Sequence, residues 1–271
     1  MKINVSIAAL CSLLTPLSQN ALADTEARTE RWELGVGIGS VYGPDYRGSD
    51  EYRNFTSIIP YIVYYGKIIR SDREGLKAEF FSTDRINFSL SASAYISPDS
   101  DENKRRENMP ALGSTIELGP SLNFRLTGAD LRRGWHMHLP WRAVFAIGGD
   151  SNKMIGSVFH PQLVYTDTFA DWSLRYRTGA MFGSNSYHDY YYSVEAQYVT
   201  AERTEFNAAG GYSGFTTDLA LSRQINISNI KTRAAFFIRY DNLNNVEYSN
   251  SPLFMSKDVL RAGLALIWVI K

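Results

Sequence analysis

The chain has 271 residues, with 28 Lys and Arg against 28 Asp and Glu. That zero formal charge excludes a generic nucleic-acid binder, which needs a basic face. A mean hydropathy of −0.24 excludes a bundle of membrane helices but not a membrane β-barrel, whose apolar residues are spread along alternating strands.

Residues 1–23 read as an export signal. Lys2 supplies the positive start, Ile7 to Leu14 a short apolar core, and Ala21-Leu22-Ala23 a small-x-small cleavage site before Asp24. The core is too short to cross a bilayer as a helix, and beyond it no run of 18 apolar residues occurs. The expected organisation is a cleaved signal over 1–23 and one domain over 24–271. Cys11, the sole cysteine, lies inside the signal, so disulfides, thiol nucleophiles and Cys-based metal sites are excluded downstream.

From there the pattern has a period of two. Ile86, Phe88, Leu90, Ala92 and Ala94 alternate with Asn87, Ser89, Ser91 and Ser93. Ile116, Leu118, Pro120, Leu122, Phe124 and Leu126 alternate with Glu117, Gly119, Ser121, Asn123 and Arg125. Trp135, Met137, Leu139, Trp141, Phe145 and Ile147 face away from His136, His138, Pro140 and Arg142. Trp172, Leu174, Tyr176, Ala180 and Phe182 face away from Ser173, Arg175, Arg177 and Gly179. Such alternation is that of β-strands, whose successive side chains point to opposite faces. The runs reach about ten residues, the length a tilted strand needs to cross the hydrocarbon layer. Aromatics favour the strand ends (Trp32, Trp135, Trp172, Phe182, Tyr240 and Trp268), which suits an interfacial girdle and is not required of a soluble β-sandwich. With the export signal, the expected fold is all-β: a transmembrane antiparallel β-barrel.

Twelve strands are expected, starting near Arg31, Asn54, Lys67, Gly75, Arg85, Gly113, Gly134, Ile155, Asp171, Gly214, Ile230 and Asp258. The second and third are the weakest, because Pro60 interrupts the alternation. Connections alternate between short (Tyr65-Gly66, Ser82 to Asp84, Thr127 to Arg133, Thr168 to Ala170, Asn226 to Asn229) and mostly long. The long set is Gly43 to Arg53, Ser97 to Leu112, Gly148 to Met154, Gly183 to Ser213 and Asn242 to Lys257; Ser71 to Glu74 alone is short on that side. Short periplasmic turns opposite long external loops are the expected asymmetry of an outer-membrane barrel.

Turning the apolar set to lipid places the other set in the lumen. The candidate lumen charges are Glu33, Glu79, Glu117, Arg125, Arg142, Arg175, Arg177, Asp218, Arg239 and Arg261, with Lys77, Arg233, His136, His138 and His160 beside them. Either they cross-pair and fill a narrow barrel, or they line a mildly anion-attracting pore. His136 and His138 share a face and are candidate metal ligands, but no inward carboxylate lies near them in sequence and Arg142 repels a cation, so no metal is assigned. The Tyr187-His188-Asp189 cluster, near Ser184, Ser186, Ser193 and Tyr190 to Tyr192, offers one base, yet the pattern is that of any exposed aromatic-rich loop. No catalytic set or cofactor motif is assigned. Asn103-Lys104-Arg105-Arg106, flanked by acids, reads as a solvated loop tip able to meet anionic lipopolysaccharide.

Pro44-Asp45-Tyr46-Arg47-Gly48-Ser49-Asp50-Glu51-Tyr52-Arg53, followed by Ile59-Pro60-Tyr61, resembles the MipA/OmpV family of outer-membrane proteins. Asp72 to Gly75, Asn108 to Gly113, Leu118 to Pro120, Gly179 to Tyr192, Ala208 to Gly211 and Ser251 to Leu253 extend the resemblance over nearly the whole mature chain. Outer-membrane barrels usually end on an aromatic residue that the assembly machinery recognises. Here Val269, Ile270 and Lys271 follow Trp268, which leaves the strand intact and bears on that recognition. The resemblance implies a non-enzymatic outer-membrane scaffold joining a lytic murein transglycosylase to a penicillin-binding protein in peptidoglycan synthesis. Other members are porin-like or adhesive, so a channel for small solutes or a surface receptor acting through the long loops stays open. Membrane lipid and lipopolysaccharide are the expected surroundings, with no nucleic acid and no cofactor. Pro44 and Gly48 of the motif also suit a shaped loop in which Arg47 and Asp50 pair.

Overall fold

The computed structural model describes residues 31–65, 69–72, 75–83, 85–95, 102–128, 133–149, 152–227 and 230–270, with backbone alone at 31–33, 59–65, 69–72, 75–82 and 94. The signal over 1–23, Lys67 and the side chains of Glu33, Lys77 and Glu79 lie outside the described parts. The strands are β1 (Arg31–Pro44), β2 (Tyr52–Tyr65), β3 (Ile69–Asp72), β4 (Gly75–Ser82), β5 (Ile86–Tyr95), β6 (Ser114–Arg125) and β7 (Gly134–Ile147). Then follow β8 (Lys153–Phe159), β9 (Gln162–Phe169), β10 (Trp172–Gly183), β11 (Gly211–Ile227), β12 (Ile230–Asn242) and β13 (Asp258–Val269).

All pairings are antiparallel, and they close into a barrel. β13 lies beside β1 from Gly35↔Val269 to Tyr42↔Ala262, which seals the first strand against the last. Closure removes the free edges that hydrocarbon would not tolerate. β8 and β9 are one pass across the wall, both lying between β7 and β10, so the thirteen strands fill twelve places around it. The pass breaks at His160-Pro161, where proline has no N–H to give to the ladder. The Pro161 carbonyl presses against Gly179, where a Cβ would sit 2.0 Å from its oxygen. β2 runs unbroken through Pro60, opposite Val36. Among the described residues β2 meets β3 only at Tyr64 and Tyr65, so no described ladder bond on that side asks Pro60 for an N–H.

The alternation in sequence becomes a wall with two faces. Leu118, Met137, Phe145, Phe182, Phe236 and Leu260 are exposed, and Trp141 and Leu264 are 62% and 59% exposed, forming the lipid-facing belt. Ser89, Ser91, Ser121, Asn123, His136 and Arg175 are buried inside the wall. An Arg turned outward at mid-bilayer would cost roughly 2–4 kcal/mol, which keeps arginine off the middle of the lipid face.

Among the described residues, a large apolar cluster gathers at one end of the barrel. Inward Val144, Ala146, Ile155, Val158 and Met181 from the strand ends meet Tyr46, Leu112, Tyr187, Tyr191, Tyr192, Val194, Leu243, Tyr248 and Leu253 from the long loops. Long loops on one rim therefore fold together into a cap.

Candidate functional site

The cap is built around the loop joining β1 to β2. Gly48 adopts φ +89°, and a Cβ there would meet the Phe254 ring at 2.5 Å. Its carbonyl accepts from the Met255 and Ser256 amides at 2.7 and 3.0 Å, stitching this loop to the one before β13. Tyr46 donates to the Leu253 carbonyl (2.7 Å), and Tyr192 donates to the Arg47 carbonyl (2.8 Å). Burial pushes the Tyr46 phenol well above its usual range, so it stays a donor.

Arg47 is buried and reaches Asp241 of β12 at 3.1 Å. Burial works against the Arg47 charge, and the Asp241 carboxylate outweighs it. Asp241, fully buried, also accepts from Arg239 Nη2 (2.9 Å) and Thr216 Oγ1 (2.7 Å). Asp50 is exposed, so the expected Arg47–Asp50 pairing is corrected: the loop turns Arg47 inward and leaves Asp50 in solvent. Asp45 is buried beside Arg53 at 3.0 Å, Ser49 holds the Glu51 amide at 3.1 Å, and Pro44 ends β1. Tyr52 opens β2 and accepts from the Leu260 amide at 3.2 Å.

The solvated tip expected at Asn103 to Arg106 is also corrected. Asn103 is 1% exposed and donates to Asp45 (2.8 Å) and Ser49 (3.2 Å). Arg106 is buried, donating to the carbonyls of Tyr191 (3.0 Å) and Pro110 (3.1 Å). Asn103 and Arg106 thus turn inward, while Lys104 between them stays exposed.

The loop over 183–213 is not an exposed aromatic-rich loop but the lid of the barrel. Its helix α1 (Asn185–Tyr192) is capped by Ser184, whose hydroxyl accepts from the Tyr187 amide. Tyr187, His188, Tyr191 and Tyr192 are buried, and Tyr192 stacks on Tyr248 with centroids 3.5 Å apart. His188 bonds to the Ala209 carbonyl at 2.6 Å, and burial pulls its imidazole below the usual range. Ser184 is occupied as a cap and Ser193 by Asp189 at 2.6 Å, so these hydroxyls serve local structure rather than a nucleophile and base.

Beneath the lid lies a cavity of about 200 Å³. Glu117, Arg142, Arg177, Asp218, Arg239 and Arg261 line it from the strands, with Arg47 and Arg53 from the motif side. Arg142 contacts Glu117 (3.3 Å) and Ser91 (2.7 Å), and Arg177 holds Asp218 through Nε at 2.8 Å. Arg175 and Arg125 lie deeper, on β10 and β6, away from this cavity's lining. His160 lies against Gln162, which also faces His138 at 3.4 Å; among the described residues no three His, Cys, Asp or Glu side chains form a metal-holding group.

A family model described as MltA-interacting protein MipA matches residues 36–270. The chain belongs to the MipA family. It is therefore an outer-membrane β-barrel protein of a Gram-negative bacterium, in keeping with its lipid-facing belt. No protein of curated function is similar enough to count as a relative. Among solved structures, the chain is similar to one described as a bacterial polysaccharide outer membrane secretin (8% identity, 88% of this chain and 98% of that one, TM-score 0.44). It is also similar to the NanC porin (10%, 88% and 100%, 0.35) and to an outer membrane channel from Pseudomonas putida (14%, 93% and 100%, 0.37). Sequence reasoning missed Asn103, Arg106 and Asp241 as partners of the motif. Their only sequence signal was polar character inside or beside otherwise apolar segments.

Proposed function

We propose that this MipA-family barrel is a non-enzymatic scaffold of peptidoglycan synthesis, holding a lytic murein transglycosylase and a penicillin-binding protein at the inner face of the outer membrane. Family membership is the observation that carries the reading, since the matched family is described as MltA-interacting. The shut cap supports it: long loops pack into one apolar core at the outer rim, which disfavours a wide channel as the main activity. A periplasmic partner would meet the short turns, such as Ala170-Asp171, and both ends of the barrel sequence, which reach that same rim. Residues 1–23 are taken as a cleaved signal, checked by N-terminal sequencing of the purified barrel, with Asp24 expected first. The deciding experiment passes a periplasmic extract over the immobilised, detergent-folded barrel. Retention of a murein transglycosylase or a penicillin-binding protein is expected; if neither is held while the barrel stays folded, the scaffold reading fails.

A further inference from the structure

Among the described residues that line the cavity, one guanidinium has no ion pair. Arg47 and Arg239 share Asp241, Arg53 has Asp45, Arg142 has Glu117 and Arg177 has Asp218. Arg261, which lines the same cavity, is 6% exposed. Among the described residues it has no hydrogen bond or ion pair, and its Nη2 is shut from solvent without an acceptor. It sits directly opposite Arg239 across the β12–β13 register, where two like charges repel.

Asp241 reaches Arg261 through charge alone, without a hydrogen bond, and Arg261 is held by its stem and by an aromatic ring. Its Cζ lies 4.5 Å over the Tyr95 ring. Its stem crosses Gly43, where a Cβ would stand 2.6 Å from Arg261 Cγ. A buried cation so positioned lacks an anion that it can hydrogen-bond. Tyr95, Tyr187, Tyr191 and Phe237 also line the cavity and give it aromatic walls. Its volume of about 200 Å³ is below the roughly 300–1,000 Å³ of sites for drug-sized ligands, which limits an occupant to one ring.

We propose that the cavity under the lid is a binding site for a small carboxylate-bearing ring compound, with Arg261 receiving the carboxylate and the tyrosine walls holding the ring. The site is independent of the scaffold reading and lies at the opposite end of the barrel from the short turns.

Calorimetric titration of the detergent-folded full barrel tests it, using benzoate against benzamide and glucuronate against glucose. At least one acid binds saturably, and its neutral counterpart does not. Arg261→Gln weakens that binding about tenfold or more, as for loss of a charge-assisted hydrogen bond. Gly43→Ala, which keeps the arginine but displaces its stem, weakens it too. Heat-modifiable gel migration reports folding of each variant. The site is refuted if neither acid binds the unaltered barrel at millimolar concentration, if the neutral rings bind equally well, or if binding survives unchanged in a folded variant.

Discussion

The two ends of the barrel interior are filled by opposite means. Toward the short turns the lumen is small and polar: Asn87, Ser89, Ser121 and Asn123 interlock by hydrogen bonds such as Asn123 to Asn87 at 3.1 Å. Toward the long loops it becomes an aromatic core, with Tyr46, Tyr192, Tyr248 and Leu253 all nearly fully buried. The difference follows from the solvent. Lipid already takes the apolar side chains of the wall, so mid-wall the interior set is left polar. Only where the chain leaves the membrane can loops bury apolar surface against one another and gain from doing so.

The largest effect is expected where these regions join. Asp241→Ala strands Arg47 and Arg239 and costs the cap about 3–5 kcal/mol, the scale for breaking a buried ion pair. The loops should become protease-sensitive and planar-bilayer conductance should rise, while heat-modifiable migration keeps reporting a folded wall. Gly48→Ala is next, because it forces a side chain into φ +89° against Phe254. A loss of about 1–3 kcal/mol is expected, confined to the loop end and read by the same proteolysis.

Acid should separate the ends as well. Burial depresses the His188 imidazole below its ordinary value of 6.5, so the opened loop takes a proton more readily than the closed lid. Cap stability is then full above that ordinary range and falls as pH drops through the lower folded value. Proteolysis of the 183–213 loop between about pH 7 and 5 should accelerate in the natural protein and stay flat in His188→Phe. The smallest change belongs to the polar end. Asn123→Ala loses hydrogen bonds to Asn87 and Ser89, worth about 1 kcal/mol each, and should leave the loops protected. Equal loop sensitivity in Asn123→Ala and Asp241→Ala would mean that the ends are one cooperative unit.

Much of the wall was legible because alternation is a local property. Leu118 and Trp141 face lipid, and Ser121 and Asn123 face the lumen, as their parity alone required. The break at His160-Pro161 was not foreseen, since the surrounding residues keep one strand's pattern and only the close approach of Gly179 exposes it. The motif loop was visible as a distinctive string, but its partners were not. Arg47 lies 194 residues from Asp241, and Asn103 lies 58 from Asp45. No periodicity links positions so far apart, and a nearby charge such as Asp50 looks the better match until closure of β1 on β13 gathers the loops.

The sequence by itself determined the class of protein, the approximate number of strands and which side chains meet lipid, because hydrocarbon enforces a rule that each strand obeys alone. Tertiary structure alone decided that the long loops become a lid, that Asn103 and Arg106 turn inward, and that the buried Arg261 Nη2 has no hydrogen-bond acceptor. Those outcomes depend on which ends the closed barrel brings together, and burial then makes each polar group find a partner or leave a place for one.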